Sequence, residues 1–137
     1  MNINTIKTFF ITVTFVVSSI FMVNAFAGQT PVMSQQALIE AISQDKSTVV
    51  VLDVRSEAEF NEGHIKGAIN VSHDTVEENL TKLALYKDKK VVVYCRSGRR
   101  AGIAEHILAE NGFSNLYHLA GDMNGWVAAE LPTVKTQ

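Results

Sequence analysis

Two unbroken apolar runs constrain this chain most: Thr48-Val49-Val50-Val51-Leu52 and Val91-Val92-Val93-Tyr94. A strand with one wet face alternates apolar and polar residues. These runs do not alternate, so each reads as a strand buried on both faces. Such strands belong to a parallel sheet, whose neighbours need crossover connections that place helices over the sheet.

The remaining pattern supplies those helices. Ser34 is placed to cap a helix through about Ile42, with Ala37, Leu38, Ala41 and Ile42 at helical spacing. Ser56 with Glu59 three residues on fits a capping box, and Gly63 ends that short helix. Ala68 to Val71 reads as a short strand. Thr75 to Leu85 reads as a helix with Val76, Leu80, Leu83 and Ala84 on one side. Ala101 to Asn111 reads as a helix with Ile103, Ala104, Ile107 and Leu108 inward, stopped by Gly112. Asn115 to Leu119 and Met123 to Ala129 read as a last strand and a last helix. The expected fold class is therefore α/β, a single domain with a central, mostly parallel sheet and helices on both faces.

Residues 1–27 are read as lying outside that domain. They hold one base, Lys7, and no acid; Phe9 to Val23 carries no charge; Ala25-Phe26-Ala27 ends the segment with small residues at the positions preceding a cleavage site. That is the pattern of a cleavable secretory signal peptide. The apolar run falls short of the ~20 residues of a spanning helix and is interrupted by Thr12, Thr14, Ser18 and Ser19. The expected organisation is a leader over 1–27 and a domain over 28–137. Its compartment is periplasmic, with no stable membrane association after cleavage.

Composition narrows the function classes. A formal net charge of −2 gives no basic surface, which argues against nucleic acid as a partner. A single cysteine leaves no internal disulfide, no CxxC redox pair and no multi-cysteine metal site. His73, His106 and His118 share no ligand spacing with one another or with a carboxylate cluster, so no metal is expected. No glycine loop for a nucleotide is present, and no cofactor is expected. Glu77-Glu78 and Lys87-Asp88-Lys89-Lys90 read as solvated surface, and Trp126 as a core or pocket-wall residue.

The lone cysteine sits where chemistry is expected. A buried strand ends at Cys95; Arg96-Ser97-Gly98-Arg99-Arg100 follows; a helix begins at about Ala101. Sites in open α/β sheets form beyond the carboxyl ends of strands. A loop feeding a helix N-terminus turns several amides toward one point, and three guanidinium groups add positive charge. Each of these favours thiolate over thiol and an anion above the sulfur. The combination reads as a nucleophile for an anionic substrate.

At this level the chain resembles the rhodanese-domain family. The resemblance is carried by Val51-Leu52-Asp53-Val54-Arg55, Glu59-Phe60, Gly63-His64-Ile65 and Gly67-Ala68-Ile69-Asn70. The loop Cys95 to Arg100 is similar to the family's active-site loop, and Leu119-Ala120-Gly121 with Gly125-Trp126 to its C-terminal signature. Within the family it looks like the single-domain, exported thiosulfate sulfurtransferases of the phage shock protein E type. The resemblance implies a sulfurtransferase that moves sulfane sulfur from thiosulfate to cyanide or a thiol through a Cys95 persulfide. Amides of residues 96 to 100 would stabilise the terminal sulfur. Arg96 and the loop edge would hold the sulfonate, with Ser97, Gly98 and Arg99 lining the loop and Arg100 near the helix start. Asp53 and Arg55 are expected as an ion pair shaping the pocket floor, and His64 as a hydrogen-bonded pocket-shaping residue. Asp122 stands where the family often has a second glycine, which implies an acid near the pocket rim.

The expected partners are a small anionic donor and a cyanide or thiol acceptor. A protein acceptor would make the chain a persulfide carrier or binding module instead. The intact Cys95 and its arginines argue against a silent interaction domain. The family also holds phosphatases and arsenate reductases, whose loop is one residue longer and wider; the span from Cys95 to Arg100 favours sulfur over phosphate.

Overall fold

The computed structural model describes residues 29–136. The expected leader, residues 1–27, lies outside the described residues.

Five strands form one sheet: β1 (Val32–Met33), β2 (Val49–Asp53), β3 (Ile69–Asn70), β4 (Lys90–Tyr94) and β5 (Leu116–Leu119). Their order across the sheet is β1-β5-β4-β2-β3, and every ladder is parallel. The two apolar runs become the central pair, β4 and β2, in register from Val49 opposite Lys90 to Asp53 opposite Tyr94. The edge strand β1 was not legible as a strand. It is two residues long and is defined by its pairing with β5 rather than by any pattern of its own.

Five helices cover the sheet: α1 (Gln35–Asp45), α2 (Glu57–Glu62), α3 (Leu80–Leu83), α4 (Arg99–Glu110) and α5 (Asp122–Ala128). Ser34 caps α1 by accepting the Ala37 amide. Ser56 and Glu59 complete the expected capping box at α2, each side chain accepting the other's backbone N–H. The segment read as one helix from Thr75 is a 3₁₀ turn (Glu77–Asn79), the single α turn of α3, and a second 3₁₀ turn (Ala84–Tyr86). Val76 and Leu83 are buried there, while Ala84 faces solvent. Tight turns of this kind present a narrower apolar face than a full helix does.

Alternate side chains of the central strands feed two cores. One face joins Val50, Leu52, Val91, Val93 and Cys95 to Val76, Leu83 and the inner side of α4 (Ala101, Ala104, Leu108). The other joins Val51, Val92 and Tyr94 to Leu38 of α1 and to Met123 and Trp126 of α5. Each fully buried Val or Leu contributes about 1.5–3 kcal/mol, so the β2–β4 pair anchors both layers. On α4 the inward stripe differs from expectation. Ile103 is exposed, and Glu105 is buried in its stead. Among the described residues, no helix is long and apolar enough to cross a membrane.

The chain leaves β2 toward β3 and leaves β4 toward β5, in opposite directions across the sheet. The carboxyl ends of β2 and β4 therefore flank a topological switch point, where open α/β sheets form their sites. Asp53 ends β2 and Cys95 follows β4 at this point.

Candidate active site

Cys95 is buried and continues directly from β4. The loop then turns sharply at Gly98, which caps α4 with φ of +110°, a conformation open to glycine and strained for other residues. That turn brings the Gly98 amide back over the cysteine, where it donates to Sγ at 3.0 Å. The helix starts at Arg99, two residues earlier than expected, so Arg99 and Arg100 occupy its first turn. Among the described residues, the amides of Arg96, Ser97, Arg99, Arg100 and Ala101 donate to no protein acceptor. Amides without protein acceptors at a helix start, beside a sulfur that already accepts the Gly98 N–H, suit an anion chemically.

The loop is fastened from beneath by the first turn of α5. Met123 N–H donates to Cys95 O at 3.0 Å, and Asn124 N–H to Arg96 O at 3.1 Å. The Cys95 amide donates to Asp122 Oδ1 at 2.9 Å. Asp122 is thus not at the pocket rim, as the resemblance implied. It is buried under the loop at 3% exposure. Helix α5 starts directly below Cys95, so the acid is directed inward.

Three arginines follow Cys95, with different surroundings. Arg100 forms a bidentate pair with Glu59, at 2.6 and 2.8 Å, tying the start of α4 to the capping box of α2. That guanidinium holds the Glu59 carboxyl down at about 2. Arg100 therefore stands near the helix start as expected, already engaged by a carboxylate. Arg96 and Arg99 are exposed, and among the described residues neither pairs with an acid. Arg96 also lines a cleft of about 320 Å³ with Arg55, Glu59, Glu62, Met123 and Val127.

Asp53 and Arg55 form the expected ion pair, 2.6 Å apart and buried at the end of β2. Arg55 also donates to Gly63 O at 2.8 Å, binding the end of α2 to the strand. Tyr94 lies beside them, its hydroxyl accepting the Ile65 amide; burial and the Asp53 charge push its ionisation far up. His64 donates from Nδ1 to Phe60 O at 2.8 Å and stacks on the Phe60 ring with centroids 3.6 Å apart. Of these three residues Arg55 lines the cleft beside Arg96, while Asp53 and His64 do not line it.

The sequence reading of His118 missed its two carboxylate partners. His118 on β5 lies between two buried acids, with Nδ1 2.6 Å from Glu105 and Nε2 3.0 Å from Asp122. Hydrogen bonds to Asp122 and Glu105 outweigh burial and push its ionisation up to about 10. A signal was present in the sequence: Glu105 shares a helical stripe with Ala101, Ala104 and Leu108. An acid on an inward stripe requires a buried partner.

Comparison with known proteins agrees with this geometry. Residues 34–129 match the model of the rhodanese-like domain. A rhodanese-related protein from Thermoplasma volcanium superposes with a TM-score of 0.67 at 28% identity, covering 77% of this chain and 99% of its own. A protein from Lactobacillus plantarum superposes with a TM-score of 0.68 at 28% identity, covering 77% of this chain and 88% of its own. Among curated sequences, the tRNA uridine(34) hydroxylase of Buchnera aphidicola is 35% identical over 97 residues, 68% of this chain. The Escherichia coli protein of that name is 33% identical over 91 residues, 64% of this chain. The chain spans only 30% and 26% of the length of these two relatives. On the match over residues 34–129, with the sheet order and the cysteine loop behind it, the chain belongs to the rhodanese-like domain family.

Proposed function

We propose that this protein is a sulfurtransferase that moves sulfane sulfur from thiosulfate to cyanide or a thiol through a Cys95 persulfide. The observation that carries the reading is the Gly98 amide on Cys95 Sγ, inside a loop where, among the described residues, the amides of Arg96, Ser97, Arg99 and Arg100 donate to no protein acceptor. In the first step the Cys95 thiolate attacks the outer sulfur of thiosulfate. The S–S bond of the donor breaks and its electron pair leaves with sulfite. The persulfide anion on Cys95 then lies among the loop amides, which stabilise it as an oxyanion hole stabilises oxygen. Cyanide or a thiolate attacks the outer sulfur, and the pair returns to Cys95 as thiolate. Arg96, exposed beside the cleft, holds the sulfonate during capture.

The same reading places the chain with exported enzymes of the phage shock protein E type, cleaved after Ala27 and acting in the periplasm. The tRNA uridine(34) hydroxylases that it resembles are much longer proteins.

The carrier reading shares the first step and differs in the acceptor. Intact mass of the purified protein before and after thiosulfate tests the common step: the expected result is a gain of one sulfur, lost on adding cyanide. An unchanged mass overturns the persulfide. Sulfur release to a partner protein alone, and not to cyanide, favours the carrier.

A further inference from the structure

Asp122 holds a backbone conformation that suits glycine, with φ of +52°, yet it carries a side chain. Both of its carboxylate oxygens are occupied. Oδ1 accepts the Cys95 amide at 2.9 Å, and Oδ2 lies 3.0 Å from His118 Nε2. The other ring nitrogen of His118 lies 2.6 Å from Glu105 Oε1. A neutral imidazole donates from one nitrogen only, so two facing carboxylates require the imidazolium.

We propose that the chain Glu105–His118–Asp122 positions the cysteine loop, with His118 as the positioning residue that holds the Asp122 carboxylate under the Cys95 amide. The inference rests on reading Cys95 as the nucleophile. Three bonds from the first turn of α5 fasten the loop, and two are backbone bonds that side chains do not alter. The third depends on the Asp122 side chain, which His118 fixes from its far side. Glu105, on α4, fixes His118 in turn. The same pair is the surface on which the loop turns: a Cβ on Gly98 would lie 3.3 Å from Asp122 Oδ2 and 3.7 Å from His118 Nε2. Burial of the three side chains, at 7%, 20% and 5% exposure, shields the chain from water that would otherwise replace its bonds. The two acids push the His118 pKa up to about 10, so the ring keeps its proton through neutrality and the device is set there.

The test compares Asp122→Gly and Asp122→Asn with the unaltered protein. Glycine relieves the backbone and deletes the acceptor for the Cys95 amide. Asparagine keeps that acceptor and can donate to a neutral His118. Hydrogen exchange of the Cys95 amide should quicken by about tenfold or more in Asp122→Gly while Val92 and Val93 stay protected. Sulfur transfer should lose about tenfold or more in kcat with little change in KM. Asp122→Asn should retain kcat within about threefold. Ring ¹⁵N shifts at about pH 8 should show His118 protonated on both nitrogens in the unaltered protein and on one in Asp122→Asn. Unchanged Cys95 exchange in Asp122→Gly, kcat within about twofold, or a neutral His118 in the unaltered protein overturns the proposal. If the unaltered protein transfers no sulfur, the nucleophile reading has failed, and the exchange and ring measurements still decide the positioning role.

Discussion

The Gly98 amide donates to Cys95 Sγ at 3.0 Å because Gly98 turns the chain through a left-handed conformation, φ of +110°. The relationship makes one backbone angle responsible for the geometry of the sulfur. Gly98→Ala should therefore damage both fold and chemistry. The strained conformation costs on the order of 1–3 kcal/mol, and the added methyl must displace Asp122 Oδ2, 3.3 Å away. Melting temperature and thiosulfate:cyanide turnover should both fall. A variant as active and stable as the parent would show that the loop holds the sulfur by another route.

Arg96→Ala should weaken capture while leaving the covalent step possible. A charge-assisted hydrogen bond of about 1.5–3 kcal/mol corresponds to roughly a 10- to 150-fold loss in kcat/KM for thiosulfate. An uncharged sulfur donor has no sulfonate to hold and should lose less. Because Arg96 is exposed, the loss should shrink in high salt. Steady-state kinetics with both donors decides; equal losses would assign Arg96 to the shape of the loop instead.

The Glu59–Arg100 pair should make stability acid-sensitive. The Glu59 carboxyl is held down at about 2, against 4.5 ordinarily. A lowered value means that the stabilisation is complete above the ordinary value and is lost as pH falls from 4.5 toward about 2. Both side chains are about a quarter exposed, so solvent limits the pair to about 1 kcal/mol. Glu59→Gln should remove that part of the acid loss in chemical denaturation from pH 5 to pH 2. Parallel curves for the two proteins would mean that the pair carries no net stability.

His118 works in the opposite direction. Its ionisation is raised from 6.5 to about 10. A raised value means that the stabilisation is complete below the ordinary value and is lost as pH rises through about 10. The protein should therefore weaken between about pH 7 and pH 10, by an amount on the order of a few kcal/mol. His118→Gln should be less stable at neutral pH and lack this alkaline slope. Thermal melts across that range test it, and a slope unchanged by the substitution would place its origin elsewhere.

Cys95→Ser should abolish sulfur transfer and any mass gain from thiosulfate, since an alcohol is a far weaker acid and cannot carry persulfide sulfur. Retained turnover would remove Cys95 from the reaction.

Local chemistry made much of this protein legible. Two non-alternating apolar runs rich in β-branched residues point to doubly buried strands, and they form the centre of the parallel sheet. Ser34 and Ser56 cap helices through bonds that span three residues. Cys95, Gly98 and the start of α4 are contiguous, so their arrangement follows from one strand–turn–helix segment. The tertiary structure decided what depends on distant partners. β1 exists through its pairing with β5. Arg100 meets Glu59 across 41 positions. Asp122 faces inward because α5 begins beneath Cys95, 27 positions away. Glu105 and His118 meet across 13 positions only when α4 packs beside β5. The physical reason is range: periodicity and capping act within a helical turn or a strand, whereas a buried charge finds its partner only once packing has excluded water.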